Sequence, residues 1–559
     1  MPLSFRSQHR PSGPSSARGV APATLIVAVA MWLTLVANVP LWRQLAQLPE
    51  LANPRGLAFG LAGGVIVAGL NVLVLTLCAW RWTLKPVLAL FLVVGATVAY
   101  FSYSYGVVID RSMLVNALNT DSREVRDLLG WPMAIALLLL GVLPAWLMAR
   151  VPLRWATPWR QLGRNALLWV AAALVVLGAG GLFFQDLSST MRNYKQLRYL
   201  VAPLNAVYAA ATLWHDPSAR PEGPVQPLGR DARLLAAPAD ARPPMMVFVL
   251  GETARGDHFA LNGYPRDTTP ELATRGVVSY PDVQSCGTST AASVPCMFSN
   301  LGRERFIASN ERFEGLVDVL SHAGLAVLWL DNQAGGCKGV CDRVPTVKYQ
   351  PLQVPGLCSD DECFDEVMLK GLDARIAELP AERRAKGVVV FLHQMGSHGP
   401  AYYKREPAAY KRFMPECTTN ALQQCSKTEL INAFDNTIVY TDHFLASTID
   451  WLKTHQANWS TGMVYVSDHG ESLGENNLYL HGLPYAIAPR QQKHPAWITW
   501  LSPELQARRG TPQACLQARR EQPVSHDNYF HTALGLVGVA TSAYDRAHDL
   551  SAACRSGPP

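Results

Sequence analysis

The sequence predicts an α-helical membrane domain followed by an α/β domain. Three observations support this fold class. The long apolar runs all end before about residue 187, ten of the eleven cysteines follow residue 285, and the second half alternates short apolar runs with helical patterns. The chain has 559 residues, of which 49% are hydrophobic and only 16% charged, which is apolar for a soluble protein. Its net charge of +6 is modest, so we expect no nucleic-acid partner.

Five apolar runs precede the polar half of the chain. Each has about 20 residues or more, enough to cross the ~30 Å hydrocarbon core of a bilayer as a helix. Buried helices of a large soluble core are the alternative, which the short links between the runs disfavour. The runs are Ala21–Trp42, Leu57–Trp80, Val87–Ile109, Pro132–Val151 and Asn165–Phe184.

The orientation of these helices follows from the Lys and Arg residues in their links. Nine lie on the side of the N-terminus and five on the other side, so the N-terminus is predicted in the cytoplasm. The first run is longer than the apolar region of a typical signal peptide and no clear cleavage site follows it, so we interpret it as a retained span. Five spans then place the C-terminal part outside the cytoplasm.

The cysteines fit an oxidising compartment. Ten cysteines in an exported domain are typical of disulfides, and their varied spacings disfavour the alternative, a zinc ribbon. Four close pairs are predicted, with Cys515 and Cys554 as a candidate fifth. The four are Cys286 with Cys296, Cys337 with Cys341, Cys358 with Cys363, and Cys417 with Cys425.

We divide the chain into a transmembrane domain (1–184), a membrane-proximal bridge and linker (185–242) and an α/β domain (243–559). In the last, a helix is predicted over Glu429–Lys453 from its apolar spacing. Alternating strands and helices predict a largely parallel sheet. The predicted strands are Met245–Leu250, Leu325–Leu330, Val388–Leu392, Met463–Ser467 and Ala496–Leu501.

Three of these strands run directly into residues with useful chemistry. Glu252 follows the first strand, "HQMGSHGP" with His398 follows the third, and Asp468-His469 follows the fourth. Open α/β sheets place their sites at such carboxyl ends. Carboxylate oxygens and imidazole suit zinc, with His481 in a comparable loop. A salt-bridged loop or a helix N-cap is the alternative.

The stretch "SCGTSTAASVPCMFS" places Thr288, Ser289 and Thr290 between two cysteines that could close the loop. A hydroxyl is a poor nucleophile until its proton is removed, and a nearby zinc ion would lower its pKa. One of the three hydroxyls is therefore predicted as fourth zinc ligand and nucleophile. If the loop leads into a helix, the N-terminal N–H groups would favour a phosphate.

These stretches, together with "GETARGDH", "YTD" and "SDHGESLGENNLYLHG", resemble the lipid A phosphoethanolamine transferases. These enzymes belong to the alkaline phosphatase superfamily and include the mobile colistin-resistance enzymes. The resemblance implies five transmembrane helices and a periplasmic alkaline-phosphatase/sulfatase-like α/β sandwich in the bacterial inner membrane. It implies phosphatidylethanolamine as donor, lipid A or lipopolysaccharide as acceptor, a monomer, and Zn²⁺ as cofactor, with one ion expected and a second left open.

The resemblance also implies residue roles. Thr290 is the nucleophile that forms a covalent phosphoethanolamine–threonine intermediate. The other candidates fall into two sets. The zinc ligands are Glu252, Thr290, Asp468 and His469. The substrate-binding residues are Asn116, Thr120, Glu124, Thr288, Lys338, His398 and His481, of which the two histidines are also candidates for catalytic proton transfer or a second zinc.

Some alternatives stay open at this point. The acceptor could be the lipopolysaccharide inner core, a periplasmic glucan or a protein glycan. A glycerol-phosphate transferase, a phosphohydrolase and a catalytically silent sensor are the other interpretations. Gln333 lies where many relatives carry asparagine, and we leave it out of the predicted site; His526 is as well explained by helix capping and packing.

Overall fold

The computed structural model describes residues 19–119, 125, 128–215, 224–236, 241–309, 311–349, 354–359 and 362–555. The chain forms two compact units. The first comprises residues 1–100 and 133–206, and the second comprises residues 101–132 and 207–559. Each unit is described by itself.

Four helices are long and apolar enough to cross a membrane, and a bent helix pair is a candidate fifth span. They coincide with the five predicted apolar runs. The four helices are Pro54–Leu77, Leu84–Tyr105, Trp131–Arg150 and Pro158–Leu182, and the bent pair is Pro22–Ala37 with Val39–Leu45.

The bend of 55° in the first pair occurs at Asn38, two residues before Pro40. Proline cannot donate a helical hydrogen bond and clashes with the preceding turn. The Asn38 side chain is fully buried; its Nδ2 donates to the carbonyls of Leu33 (2.9 Å) and Ala202 (2.7 Å). In an apolar environment, such side-chain bonds satisfy backbone groups that a broken helix leaves open.

The predicted bridge after the last span is largely helical in its first part. It contains the helices Phe184–Asn193 and Leu204–His215 with a 3-10 turn, Lys195–Leu200, between them. Residues 216–223 and 237–240 lie outside the described residues.

The second unit contains fifteen described strands, many of them only two residues long. They are β1 (Arg233–Leu234), β2 (Pro244–Gly251), β3 (Val278–Tyr280), β4 (Val283–Gln284), β5 (Ala326–Asp331), β6 (Thr346–Lys348), β7 (Cys358–Ser359), β8 (Glu362–Cys363), β9 (Val388–His393), β10 (Ser460–Ser467), β11 (Ser472–Leu473), β12 (Tyr479–Leu480), β13 (Trp497–Leu501), β14 (Val524–Ser525) and β15 (Val539–Ala540).

Seven of them form the central sheet in the order β3-β13-β10-β2-β9-β5-β6. The five strands from β10 to β6 are parallel, and near one edge β13 runs antiparallel to both of its neighbours, β10 and β3. This confirms the largely parallel sheet, and all five predicted strands belong to it. Every residue of β2 is buried, as expected for a central parallel strand covered on both faces.

Helices cover both faces of this sheet. On one face Val247 and Val249 pack in a core with Phe434 of the long helix Lys427–Thr454, which a capping box of Ser426 and Glu429 begins. On the other face Phe248 belongs to the core of the helices Leu316–His322 and Tyr529–Val537. The remaining described helices of this unit are Arg111–Asn119, Thr290–Met297, Gly302–Ala308, Leu372–Ala377, Ala381–Arg384, Arg490–Lys493, Pro503–Arg509 and Gln513–Ala518.

Disulfides hold the loops around the sheet. All four predicted close pairs are formed, and so is the candidate fifth pair. Cys78, in the helical unit, is the free cysteine of the described part of the chain. The bonds join Cys286 to Cys296, Cys337 to Cys341, Cys358 to Cys363, Cys417 to Cys425, and Cys515 to Cys554.

Two of these bonds attach a loop to a helix. Cys296 was predicted to close a loop with Cys286, but Cys296 lies within the helix Thr290–Met297, so the disulfide joins the start of the loop to the end of that helix. Cys425 directly precedes Ser426, the N-cap of the long helix Lys427–Thr454, and its bond to Cys417 closes the segment that enters this helix.

Candidate active site

Three ionisable side chains meet at the carboxyl ends of β2 and β10. The ligand atoms of Glu252, Asp468 and His469 lie within 4.8 Å of one another, and all three residues are fully buried. His469 Nε2 is 3.4 Å from Glu252 Oε1 and 3.3 Å from Asp468 Oδ2. The parallel register sets this convergence, because Gly251 at the end of β2 pairs with Ser467 at the end of β10.

Main-chain groups orient the side chains of Asp468 and His469. The N–H groups of Thr253 and His469 donate to Asp468 Oδ1, over 3.2 Å and 2.8 Å. Thr253 has a left-handed φ of 52°, which turns the chain sharply after Glu252. His469 Nδ1 lies 2.9 Å from the Gly470 carbonyl, so Nδ1 carries the proton and Nε2 offers its lone pair to the cluster.

The cluster fits a divalent metal ion. Asp468 Oδ2 and His469 Nε2 are buried without a hydrogen-bond partner among the described residues. Burial and the charge of Glu252 raise the pKa of Asp468, and a cation held between the two carboxylates would offset this repulsion. Two carboxylates and an imidazole, with a hydroxyl as fourth ligand, form a donor set suited to zinc.

The structure also brings Asp331 near Cys337 and Cys341. The two sulfurs are joined to each other in a disulfide, so they offer no thiolate to a metal. The cluster of Glu252, Asp468 and His469 is therefore the candidate metal centre of the described residues.

Of the three consecutive hydroxyls that follow Cys286, the structure places one on this centre. Thr290 Oγ1 is 3.2 Å and 3.1 Å from the two carboxylate oxygens of Glu252. Thr288 instead donates its hydroxyl to the Leu483 carbonyl over 2.6 Å.

The predicted helix does begin at this loop. Ser289 is the N-cap of the helix Thr290–Met297, so Thr290 is its first residue. The first N–H groups of the helix lie beside the Thr290 hydroxyl and favour an anion there. The disulfide of Cys296, near the other end, holds this helix against the loop that precedes it. Because it carries the predicted nucleophile, we call it the nucleophile helix.

Two histidines extend the site from the metal centre. The His481 ring centroid is 4.4 Å from that of His469 and 5.5 Å from that of His398. His481 Nδ1 is 3.3 Å from the carboxylate of Glu471. Burial lowers the pKa of His398 to about 3, so this imidazole is neutral at physiological pH.

The predicted headgroup residues are only partly described. Asn116 lies in the helix Arg111–Asn119, and a Cβ atom added to Gly482 would approach its Nδ2 to 3.1 Å, so Asn116 packs beside the loop of His481. Thr120 and Glu124 lie outside the described residues.

Gln333 is a residue of this site that the sequence analysis left out. Its Nε2 donates to Glu252 Oε2 over 3.4 Å, and both side chains are buried. A Cβ atom added to Gly335 would approach Gln333 Oε1 to 3.0 Å and would also meet the Lys338 ammonium. A Cβ at this position would displace the end of the Lys338 side chain. Gln333 thus lies between the metal centre and the loop of Lys338, and only its place after the end of β5 could have indicated this.

We expect Gln333→Ala to weaken zinc binding about tenfold, because partners of metal ligands typically contribute 10–100-fold to affinity. Competition with a chromophoric chelator measures the affinity. Gln522→Ala, at an exposed position, is the matched control. An affinity equal to that of the wild type would show that Gln333 does not support Glu252.

His526 holds the loop Cys286–Ser289, which leads into the nucleophile helix and is called the nucleophile loop below, against the end of β10. Its Nδ1 accepts from the Cys286 N–H (3.1 Å), and its Nε2 donates to the Ser467 carbonyl (3.0 Å). Ser293 Oγ, in the nucleophile helix, donates to the Asp468 carbonyl over 2.5 Å. The nucleophile loop and the end of β10, which carries Asp468 and His469, are thus joined by buried hydrogen bonds. His526 therefore positions this loop relative to the candidate metal ligands.

The same buried histidine gives a pH-dependent stability. Burial lowers the folded-state pKa of His526 to about 3, below the value of about 6.5 in an unfolded chain. As the pH falls below about 6.5 the unfolded chain binds this proton and the folded chain does not, so stability is lost by up to about 1.4 kcal/mol per pH unit.

We therefore expect the midpoint of thermal unfolding to fall less steeply between pH 7 and pH 4.5 in His526→Gln than in the wild type. Glutamine can accept from Cys286 and donate to Ser467 without titrating. Parallel curves for the two proteins would contradict a neutral, buried His526.

Comparison with known proteins gives consistent matches. The family model for "Phosphoethanolamine transferase EptA/EptB" matches residues 67–217, and the family model "Sulfatase" matches residues 244–539. Phosphoethanolamine transferase EptA of Salmonella typhimurium is 42% identical over 95% of this chain and 96% of its own length. Phosphatidylethanolamine transferase Mcr-1 of Escherichia coli is 38% identical over 96% of this chain and 98% of its own.

A solved structure matches nearly the whole chain. It is the integral membrane protein lipooligosaccharide phosphoethanolamine transferase A from Neisseria meningitidis. The TM-score is 0.91 at 34% identity, and the match covers 96% of this chain and 100% of that one.

Proposed function

This chain belongs to the phosphoethanolamine transferases, and from that premise we propose that it transfers phosphoethanolamine from phosphatidylethanolamine to a phosphate group of lipid A. Thr290 is the nucleophile, and the reaction passes through a covalent phosphoethanolamine–threonine intermediate. The observation that carries this proposal is the position of the Thr290 hydroxyl, 3.1–3.2 Å from both Glu252 oxygens at the start of a helix.

In the first half-reaction Thr290 Oγ1 releases its proton to solvent and attacks the phosphorus of the donor, and the bond from phosphorus to the glycerol oxygen breaks. A zinc ion held by Glu252, Asp468 and His469 would lower the pKa of the Thr290 hydroxyl and offset phosphate charge. The first N–H groups of the helix and the Lys338 ammonium face the same phosphate. The leaving oxygen takes a proton and diacylglycerol departs, with His481 beside Glu471 as the candidate donor.

In the second half-reaction an oxygen of the acceptor attacks the same phosphorus, and the bond to Thr290 breaks. His398 is the candidate base for a proton carried by the acceptor; burial lowers its pKa in the empty site, and the anionic phosphoryl group of a bound substrate would raise that pKa again. Asn116, Thr120 and Glu124 would hold the ethanolamine group, with the Glu124 carboxylate pairing its ammonium. Thr288 fixes the loop through Leu483 while the intermediate exists.

We also propose the membrane arrangement that this reaction requires. Residues 1–184 form five spans of the bacterial inner membrane, with the N-terminus in the cytoplasm. Residues 185–242 form the bridge and linker, and residues 243–559 form the catalytic domain in the periplasm. Five disulfides in the second unit support an oxidising compartment. The protein acts as a monomer. A primary amine added to an anionic lipid would weaken binding of cationic peptides and polymyxin.

The test is an acceptor competition with purified full-length protein in vesicles that contain phosphatidylethanolamine. Lipid A, an inner-core oligosaccharide and a periplasmic glucan are offered together, and each product is identified by its mass. We expect lipid A to gain about 123 Da, the formula mass of one phosphoethanolamine group, faster than either competitor. Preferential modification of a competitor would show that this competitor, and not lipid A, is the acceptor. Release of free phosphoethanolamine alone would indicate a phosphohydrolase.

A further inference from the structure

A cavity of about 580 Å³ lies beside the nucleophile helix. Ala291 and Pro295, one turn apart on the helix Thr290–Met297, line one wall. Val115, from the helix Arg111–Asn119, and Lys338 lie on other walls. All these residues belong to the second compact unit. The cavity thus begins at the residue that follows Thr290 and reaches a residue already assigned to substrate binding.

The far side of the cavity is amphiphilic. Phe306, Ile307 and Phe313 line it, and the Ile307 side chain is 61% exposed, which is unusual for an isoleucine. Arg312 lies on the same rim, is exposed, and makes no ion pair with another described residue. An apolar wall with a cation at its edge fits a ligand that carries both acyl chains and negative charge.

Most carboxylates near this rim form ion pairs with basic side chains. Glu314 pairs with Arg230 (2.9 Å) and His322 (2.8 Å). Arg343, which also lines the cavity, is held by Asp318 at 2.6 Å. The cavity lining as a whole carries three basic side chains, those of Arg312, Lys338 and Arg343, against two carboxylates, those of Glu311 and Glu314, so its net formal charge is positive.

We propose that this cavity is the acceptor site and holds an anionic glycolipid, with its acyl part against Phe306 and Ile307 and a second anionic group on Arg312. The proposal rests on the function proposed above. The donor is the less suitable occupant, because its one phosphate is the group transferred to Thr290 and the rest of it, diacylglycerol, is neutral. An acceptor with several anionic groups uses a cation that lies away from the nucleophile.

The test separates the two half-reactions in full-length protein. The phosphoethanolamine adduct is first formed from phosphatidylethanolamine, excess donor is removed, and loss of the adduct is followed by intact mass as lipid A is titrated. We expect Ile307→Asp and Arg312→Gln each to raise the half-saturating lipid A concentration about tenfold. The half-saturating donor concentration should change several-fold less.

Two matched controls accompany these variants. Met414→Asp changes a residue with the same 61% exposure elsewhere in the unit, and Arg233→Gln removes an exposed arginine outside the cavity. Both should stay within about twofold of the wild type. Ile307→Val should retain most acceptor affinity, and formation of the adduct by Ile307→Asp at the wild-type rate would show that this variant is folded.

Three outcomes would overturn the proposal. If both cavity variants depend on lipid A concentration as the wild type does, the cavity is not the acceptor site, and the proposed function is unaffected. A larger change in donor dependence than in acceptor dependence assigns the cavity to the donor. Absence of any adduct in the wild type overturns the proposed function, and the acceptor site with it.

Discussion

Thr290→Ala should lower the rate of phosphoethanolamine transfer by at least about a thousandfold, the largest effect that we expect from any single substitution. The Thr290 hydroxyl is the one group of the closed loop that faces Glu252, at 3.1 and 3.2 Å. Its removal leaves the metal centre without a nucleophile on the protein. The rate of appearance of modified lipid A, measured by mass, tests this expectation.

Thr290→Ser is the control for this substitution, because it keeps the hydroxyl and removes only a methyl group. We expect it to retain measurable transfer. Thr288→Ala should cost less than Thr290→Ala, since the Thr288 hydroxyl is engaged with the Leu483 carbonyl and anchors the loop rather than reacting. Equal losses in Thr288→Ala and Thr290→Ala would contradict these separate roles.

His469→Ala should reduce bound zinc from about one ion per chain to less than about a tenth of that, and abolish transfer with it. The imidazole Nε2 lies between the two carboxylates, so its loss also leaves Glu252 and Asp468 facing each other in a buried site. Metal analysis of the purified protein by mass spectrometry measures the zinc content. Chelation of the wild type should give the same loss of activity, reversed by added zinc.

His455→Ala is the matched control for a histidine. Its ring pairs with Asp373 (2.9 Å) and follows the helix Lys427–Thr454, away from the metal centre. This variant should keep its zinc and its transfer rate. A His469→Ala protein that retains one zinc ion would contradict the assignment of this cluster as the metal centre.

The sequence predicted the framework of the site well, because that framework follows from local patterns. Continuous apolar runs identify β2, β9 and β10, whose carboxyl ends carry Glu252, the His398 loop and Asp468-His469. Parallel pairing brings such ends to one edge of the sheet.

The disulfide pairs were equally predictable, since the partners in each of the four close pairs are ten residues apart or fewer. The secondary structure around the cysteines was harder to predict from the sequence. The short helix that contains Cys296 includes Pro295, which is atypical of a helix interior, so the sequence indicated a loop up to this cysteine. Cys425 follows a 3-10 turn, Leu422–Gln424, that has no periodic pattern of its own.

What the sequence did not predict depends on contacts between distant segments. Gln333 and His526 reach Glu252 and the nucleophile loop across 81 and 240 residues of chain, distances over which no periodicity carries information. The edge strands β3 and β6 have only three residues each, too few to produce a pattern. The run Ala21–Trp42 was interpreted as one span; the bend beside Pro40 is accompanied by a bond from Asn38 to Ala202, 164 residues away, which no local pattern indicates.

A chase experiment on the intact protein tests whether Thr290 carries the phosphoethanolamine group between donor and acceptor. Full-length enzyme is incubated with phosphatidylethanolamine, freed of donor, and then mixed with lipid A. We expect a gain of about 123 Da on the protein, located at Thr290 by peptide fragmentation, and we expect this group to leave the protein and appear on lipid A. Modified lipid A formed without any adduct, or an adduct that persists in Thr290→Ala, would show that Thr290 is not the carrier.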